Sequence, residues 1–257
     1  MTNSDLEKMF ATATRWSVIT EFSAKIITPI TNMILARIIS PEAFGVVATV
    51  TMIVSFCEIF ADAGFQKYLI QHEFSKLKEK YLYANVAFWT NFIVAISFYL
   101  IIIIFNKDIA ILFGNPGLGI VIIIASIQLL ITSFTSIQTA LYKRDFDFKT
   151  LFYARIVTVA LPFIITIPLA FLGLSYWSII IGGIIGQVVN AVILTFKSKW
   201  NPKFYYNWSI FNKMFSFSFW TLVESISIWL TAWVDVFVIS QKLTQYYLGI
   251  YKTSTML

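Results

Sequence analysis

Residues 81–105 read YLYANVAFWTNFIVAISFYLIIIIF, a run of 25 residues without a charged side chain. About 20 residues of helix cross the roughly 30 Å of hydrocarbon in a bilayer, so this stretch predicts a membrane-spanning helix. The rest of the chain is similar, because 58% of its 257 residues are hydrophobic and only 12% are charged. A soluble helical core would need helices with one polar face, whereas these stretches are apolar nearly all round. The chain is therefore predicted to be an all-α, polytopic membrane protein.

Six further stretches match residues 81–105 in length and composition. They lie at 16–38, 44–70, 118–142, 151–172, 176–196 and 214–240. After a short gap, residues 247–257 resemble the first turns of an eighth helix, and the chain stops there without a polar tail, which predicts a truncated protein. No connection is long enough to fold alone, so any function is predicted to lie within or between the helices.

Lysine and arginine are divided unequally between the two sets of connections. Thirteen of them lie before the first span or after the second, fourth and sixth, against three in the remaining connections. Because short loops rich in these residues stay in the cytoplasm, the bias predicts a cytoplasmic amino terminus. It also accounts for the net charge of +6, so no nucleic-acid partner is predicted.

Polar side chains recur at helical spacing inside the apolar spans. Steps of three and four residues place them on one helix face. A charge at mid-bilayer costs about 2.5–3.5 kcal/mol on insertion scales, so these side chains are predicted to surround a hydrated cavity. The stripes are Glu21, Lys25, Thr28 and Asn32; Thr51, Ser55, Glu58 and Asp62; Glu224, Ser227, Thr231 and Asp235; and, in the fourth span, Gln128, Thr132, Ser133, Thr135, Ser136, Gln138 and Thr139.

Several of these residues have a structural alternative. Glu21 and Lys25 are four positions apart and can neutralise each other, while Asp62 and Asp235 lie near span ends, where interfacial water reaches them. Small residues at every fourth position of the sixth span predict close helix packing, and prolines inside spans predict kinks or breaks. The small residues are Ser178, Gly182, Gly186 and Asn190, and the prolines are Pro29, Pro162 and Pro168.

Motifs of the commoner enzymes are missing from the sequence. It contains no P-loop, no H-E-x-x-H and no G-x-S-x-G motif. Cys57 is the only cysteine and His72 the only histidine, so a disulfide within the chain is impossible and neither a metal nor an organic cofactor is predicted. The chain is therefore predicted not to be an enzyme.

Four stretches, spread in order over nearly the whole chain, carry a family resemblance. They are LARIISPEAFG at 35–45, FADAGF at 60–65 followed by LIQ at 69–71, LYKRDFDFK at 141–149, and WVDVFVI at 233–239 followed by LGIY at 248–251. Together they resemble the Wzx-type polysaccharide transporters, which are flippases of the multidrug/oligosaccharidyl-lipid/polysaccharide (MOP, or MATE-like) superfamily.

The resemblance implies two six-helix lobes related by a pseudo-two-fold axis, with a cavity between them. On that fold, residues 1–198 form the amino-terminal lobe, 199–213 a cytoplasmic connection and 214–257 the start of the second lobe. The implied function is to flip oligosaccharide linked to undecaprenyl diphosphate across the bacterial cytoplasmic membrane by alternating access, for O-antigen, capsule, exopolysaccharide or teichuronic acid. The implied partners are this lipid-linked sugar, the bilayer, and polysaccharide polymerase and assembly proteins.

Basic residues in the cavity would bind the diphosphate through charge-assisted hydrogen bonds. Lys25 is the first choice; Arg155 has the alternative of reaching the membrane interface. The predicted substrate-binding residues are Lys25, Arg37, Arg155, Gln128 and Asn32. The residues predicted to line the cavity or couple transport to an ion are Glu21, Glu58, Asp62, Glu224 and Asp235.

The balance of charged residues within the spans leaves two other functions open. Within the spans, acidic residues outnumber basic ones. An acidic cavity would suit a cation-coupled multidrug exporter, which belongs to a sister branch of the same fold. A half-protein that supports polysaccharide assembly without transport is the third alternative.

Overall fold

The computed structural model describes residues 3–62 and 64–256. Over these residues the chain is 87% helical and contains no strand. A short 3₁₀ turn, Pro116–Leu118, precedes the fifth helix. The helices are α1 (Asn3–Ile38), α2 (Pro41–Asp62), α3 (Phe65–Gln71), α4 (Leu77–Leu112), α5 (Gly119–Ala125), α6 (Ile127–Arg144), α7 (Phe148–Ile164), α8 (Thr166–Phe171), α9 (Tyr176–Lys197), α10 (Trp208–Lys242) and α11 (Gln245–Met256).

Seven segments of the described chain are long and apolar enough to cross a membrane, as predicted. The all-α, multi-pass membrane fold is thereby confirmed. The helix at the carboxy-terminal end, α11, begins two residues before its predicted start. The seventh segment begins at Trp208, inside the predicted connection 199–213, and the division of the chain into lobes stays a prediction.

The predicted span at 44–70 is wrong in one respect, because its helix ends at Asp62. Gly64 has a φ of 74°, in the left-handed region that glycine adopts without steric cost. A Cβ at this position would also lie 2.8 Å from the Cβ of Thr221. Glycine therefore permits both the turn and the close approach of α10, and α3 becomes a separate helix packed on α4, α6 and α10.

Prolines break one span and leave another continuous. Ile165 separates α7 from α8, between Pro162 and Pro168, because each proline removes a backbone donor and crowds the preceding turn. This break confirms the prediction for the fifth span. By contrast, α1 continues as one helix through Pro29.

The helices from α1 to α9 pack as two groups. Helices α2, α4 and α6 contact one another, α7 contacts both α1 and α9, and α6 joins the groups by packing on α9. The largest apolar core lies in the first group and includes the fully buried Ile122 and Leu129. Few residues of α1 are buried, and one of its faces borders an open space shared with α6, α7 and α9.

Arg144 ties the end of α3 to the end of α6. Its Nη1 donates to the backbone carbonyl oxygens of Leu69 at 2.9 Å, Ile70 at 3.1 Å and His72 at 2.5 Å. The guanidinium carbon lies 4.6 Å from the ring centre of Phe74. Carbonyl groups at a helix end have no partner within the helix, so Arg144 supplies the donor that α3 lacks.

Replacing Arg144 with alanine is expected to lower the thermal stability of the detergent-solubilised protein. Each hydrogen bond to a charged group contributes about 1.5–3 kcal/mol, and alanine leaves three carbonyl groups without that donor. Lys199→Ala, which removes an exposed lysine, is the matched control. Equal melting temperatures for the two variants, measured by fluorescence on heating, would contradict this role.

Candidate functional site

A cavity of about 670 Å³ lies among α1, α6, α7 and α9. This volume falls in the range of small-ligand sites, which is roughly 300–1,000 Å³. Its wall is rich in hydroxyl and amide side chains, such as Thr20 and Thr31 on α1, Thr139 on α6 and Gln187 on α9. Polar groups inside a membrane need hydrogen-bonding partners, and this wall can supply them to a polar ligand.

The structure brings four of the ten predicted site residues together around this cavity. Glu21 and Asn32 come from α1, Gln128 from α6 and Arg155 from α7. Glu21 and Asn32 are eleven residues apart, which is close to three helical turns, so they share one face of α1. These four residues belong to three separate helices and meet only because α7 packs on both α1 and α9 and α6 packs on α9.

Two other predicted binding residues lie outside the cavity wall. Lys25 and Arg37 are exposed on α1, and neither contributes to the lining. Arg37 is in the last turn of the helix. A contact between these residues and a substrate stays a prediction.

Glu58 and Asp62 of α2 bond to side chains of α6 and are not among the residues that line the cavity. Glu58 accepts a hydrogen bond from the Thr132 hydroxyl at 3.1 Å, and Asp62 accepts one from Ser136. The two acids are four residues apart on α2, and so are their two partners on α6. The two hydrogen bonds therefore join α2 and α6 at positions one helical turn apart. Both carboxyl groups are thus bonded between α2 and α6, and neither lines the cavity.

The two acids predicted in the seventh span make contacts in different parts of α10, Glu224 near its middle and Asp235 near its carboxy-terminal end. Glu224 forms an ion pair with Lys67 of α3, with 2.8 Å between Nζ and Oε2. Asp235 accepts a hydrogen bond from the hydroxyl of Tyr251 on α11. Neither residue borders this cavity, and a role in ion coupling stays a prediction.

Sequence reasoning missed a basic residue of the cavity wall. Lys143 lines the cavity, and its Nζ donates to the Gln66 side chain at 3.2 Å. It lies in the last turn of α6, so the sequence placed it in a cytoplasmic loop as a topological signal. A cation within one turn of a span end can point either into a cavity or into the loop, and the spacing does not distinguish these.

The small residues of α9 have two different surroundings. A Cβ at Gly182 would overlap the hydroxyl of Thr166 on α8, in agreement with the predicted packing. A Cβ at Gly183 or Gly186 would meet nothing within 4 Å, and both glycines border the cavity, as does Asn190. The carboxy-terminal part of the stripe is therefore an open cavity wall, and the packing interpretation is wrong for Gly186.

Charge in the cavity is net positive. Lys143 and Arg155 are basic and Glu21 is acidic, and these are the charged side chains in the lining. Within the part of the chain that the structure describes, the Arg155 guanidinium has neither an ion pair nor a hydrogen bond. An unpaired guanidinium beside open space is suited to a bidentate phosphate or carboxylate ligand.

Comparison with known proteins assigns the family. The family model for polysaccharide biosynthesis proteins matches residues 34–257. The chain belongs to the polysaccharide biosynthesis protein family. This match covers most of the chain and confirms the resemblance found in the four short stretches.

Two curated proteins are similar in sequence to this chain. The chain is 26% identical over 228 residues to the succinoglycan biosynthesis transport protein ExoT of Rhizobium meliloti (strain 1021), which covers 89% of this chain and 45% of that protein. It is 21% identical over 248 residues to an uncharacterized membrane protein in the cps region of Klebsiella pneumoniae, covering 94% and 50%. The chain thus spans about half the length of these curated relatives. No solved structure matches it significantly.

Proposed function

We propose that this polysaccharide biosynthesis protein contributes the first lobe of a flippase for oligosaccharide linked to undecaprenyl diphosphate. The observation that carries the proposal is the net positive charge of the first-lobe cavity, which is lined by Lys143, Arg155 and Glu21. A diphosphate is the part of such a substrate that needs cations. The name of the ExoT relative, a transport protein of succinoglycan biosynthesis, supports the same class of cargo.

The polar wall supplies what the sugar needs during the crossing. Each buried polar group without a hydrogen-bonding partner costs several kcal/mol in hydrocarbon, about 2–7 kcal/mol by transfer measurements. Hydroxyl and amide side chains of α1, α6 and α9 replace water around the sugar, while the polyprenyl chain stays in lipid. Rocking of two lobes then exposes the head group to each side in turn. No bond is made or broken, so the chain acts without a catalytic step.

The distribution of acids favours this substrate over a cationic drug. Four of the five acidic residues in the spans do not line the first-lobe cavity: two bond to α6, one pairs with Lys67 and one bonds to Tyr251. The excess of acids along the sequence therefore does not make this cavity acidic. A cation-coupled exporter would need the reverse balance at the site that binds its cargo.

Deletion of the gene that encodes this chain is the test of the substrate class. We expect the loss of a surface polysaccharide, measured by antibody or lectin binding to whole cells, with undecaprenyl-linked oligosaccharide accumulating inside. Drug sensitivity is expected to stay at the wild-type level. Normal polysaccharide together with increased sensitivity to cationic drugs would contradict the flippase proposal and support the multidrug exporter.

The lysine and arginine bias supports a location in the bacterial cytoplasmic membrane with the amino terminus in the cytoplasm. On this orientation the ends of α3 and α6 face the cytoplasm, where assembly of the lipid-linked sugar takes place. Alkaline phosphatase fused after residue 200 is expected to be inactive, and after residue 114 active. The opposite pattern would invert the proposed direction of transport.

A further inference from the structure

A chain of hydrogen bonds connects the cavity wall to a carboxyl group of α2. The Nζ atom of Lys143 donates to the Oε1 atom of Gln66 at 3.2 Å. The Nε2 atom of Gln66 donates to the carbonyl oxygen of Ser136 at 3.3 Å and to its hydroxyl oxygen at 3.4 Å. The Ser136 hydroxyl in turn donates to Asp62. Gln66 therefore links Lys143, which lines the cavity, to Asp62, which does not.

The donors and acceptors of this chain all run in one direction. A lysine ammonium can only donate and an ionised carboxylate can only accept. The amide oxygen of Gln66 therefore faces Lys143, and its NH₂ group faces Ser136. The hydroxyl of Ser136 accepts from Gln66 and keeps its own proton for Asp62. The chain is thus an indirect ion pair, in which an amide and a hydroxyl group separate the two charges.

Neither charged end of the chain has a direct partner of opposite charge in the part of the protein that the structure describes. Among these residues, Gln66 is the hydrogen-bonding partner of the Lys143 ammonium, and Asp62 forms no ion pair. Loss of the Gln66 amide would therefore remove both the contact that orients Lys143 and its link to the carboxylate.

The helix that carries Gln66 is fixed at both ends. Gly64 forms the turn before α3, and Arg144, the residue after Lys143, binds the carbonyl groups at the end of α3. Ser136 and Lys143 are seven residues apart, about two turns of α6, so they lie on one face of that helix. Because α3 packs on α6, Gln66 bridges these two turns from a fixed position.

We propose that Gln66 is a positioning residue of the diphosphate site, and that through it Asp62 limits how tightly Lys143 binds the substrate; this inference rests on the proposed function. Gln66 uses one of the three N–H groups of the ammonium and leaves the others for phosphate oxygens. The Asp62 carboxylate attracts the same ammonium and repels the diphosphate. A transporter must release its cargo as well as bind it, so a carboxylate that weakens binding favours release.

Gln66→Glu separates positioning from packing, because it keeps the size and shape of the side chain. The new carboxylate would pair with Lys143, compete with the diphosphate and offer no donor to Ser136. We expect the affinity for inorganic pyrophosphate to fall about tenfold or more, the change that loss of one charge-assisted hydrogen bond produces. The measurement is isothermal titration calorimetry on the purified full chain in detergent, and the melting temperature is expected to stay at the wild-type value.

Gln71→Glu is the matched control for Gln66→Glu. Gln71 is exposed at the end of the same helix, so this variant adds the same charge without touching Lys143. Its affinity for pyrophosphate is expected to stay within about twofold of the wild-type value, because salt screens exposed charges. Equal affinities of the two variants would overturn the positioning role of Gln66.

Asp62→Asn is expected to act in the opposite direction. Asparagine can still accept from Ser136, but it no longer offsets the charge of Lys143, so pyrophosphate affinity is expected to rise about threefold or more. Surface polysaccharide is expected to fall, because release becomes slower. Affinity at or below the wild-type value in the folded variant would overturn the limiting role of Asp62. If Asp62→Asn does not fold, the comparison of Gln66→Glu with Gln71→Glu decides the inference.

This inference and the proposed function fail in different ways. Polysaccharide that persists after deletion of the gene, with the variants in the expected order of pyrophosphate affinity, would reject the flippase and keep the anion site. Loss of polysaccharide on deletion, with equal pyrophosphate affinity in all variants, would reject the roles of Gln66 and Asp62 and keep the flippase. A wild-type chain that binds no pyrophosphate would overturn the diphosphate site itself.

Discussion

Replacing Arg155 with glutamine is expected to lower surface polysaccharide about tenfold or more, with an unchanged amount of protein in the membrane. The guanidinium lines the cavity and is free of ion pairs within the described residues. A charge-assisted hydrogen bond contributes about 1.5–3 kcal/mol, and every 1.4 kcal/mol changes affinity about tenfold. Whole-cell antibody binding measures the polysaccharide, and immunoblotting of membranes measures the protein.

Lys149→Gln is the matched control for Arg155→Gln. Lys149 lies on the same helix, is exposed and does not border the cavity, so its loss removes the same charge without touching the site. Arg155→Lys is expected to give an intermediate result, because lysine keeps the charge but not the bidentate geometry. Equal polysaccharide in the Arg155→Gln and Lys149→Gln strains would remove Arg155 from the binding site.

Gly186→Leu is expected to abolish polysaccharide export while the protein stays folded. A Cβ at Gly186 meets nothing within 4 Å, and the position borders the cavity, so a leucine side chain extends into the space that the sugar would occupy. Because no packing is disturbed, the melting temperature of the purified protein is expected to stay at the wild-type value. Polysaccharide display and melting temperature together form the measurement.

Gly182→Leu, one turn earlier on α9, is expected to act through stability, although Gly182 also borders the cavity. A Cβ there would overlap the Thr166 hydroxyl and lie 3.1 Å from the Thr166 Cβ, and overpacking of this kind costs about 1–3 kcal/mol. This variant is therefore expected to lower the melting temperature and the amount of protein. Normal display in Gly186→Leu cells would mean that the sugar does not pass through this cavity.

The spacing of polar residues along α1 was enough to predict that Glu21 and Asn32 line the cavity. Glu21 and Asn32 share a helix face whatever the helix packs against, and both line the cavity. The same reasoning failed for Lys25, which is four residues from Glu21 yet lies outside the wall. The 3.6-residue period assigns a side chain to a stripe that covers about a third of the helix circumference. Packing against neighbouring helices decides which part of that stripe faces the cavity.

Glu58 and Asp62 illustrate what a stripe by itself does not reveal. Their spacing is as regular as that of the α1 stripe, but they bond to hydroxyls on α6 instead of facing the cavity. Lys143 is the converse case, because it was counted with the loops and belongs to the cavity wall. In both cases the partner is more than 70 residues distant along the chain, beyond the reach of any local pattern.

The sequence by itself determined that this protein is a helical membrane protein with seven spans, because the cost of placing polar groups in hydrocarbon depends on each segment alone. It also indicated the family, through short stretches whose residues are local. Only the tertiary structure decided which polar stripes share the cavity and that its charge is net positive. That balance depends on which faces of α1, α6, α7 and α9 are turned toward the cavity. The orientation of each helix about its axis results from packing between segments distant in sequence.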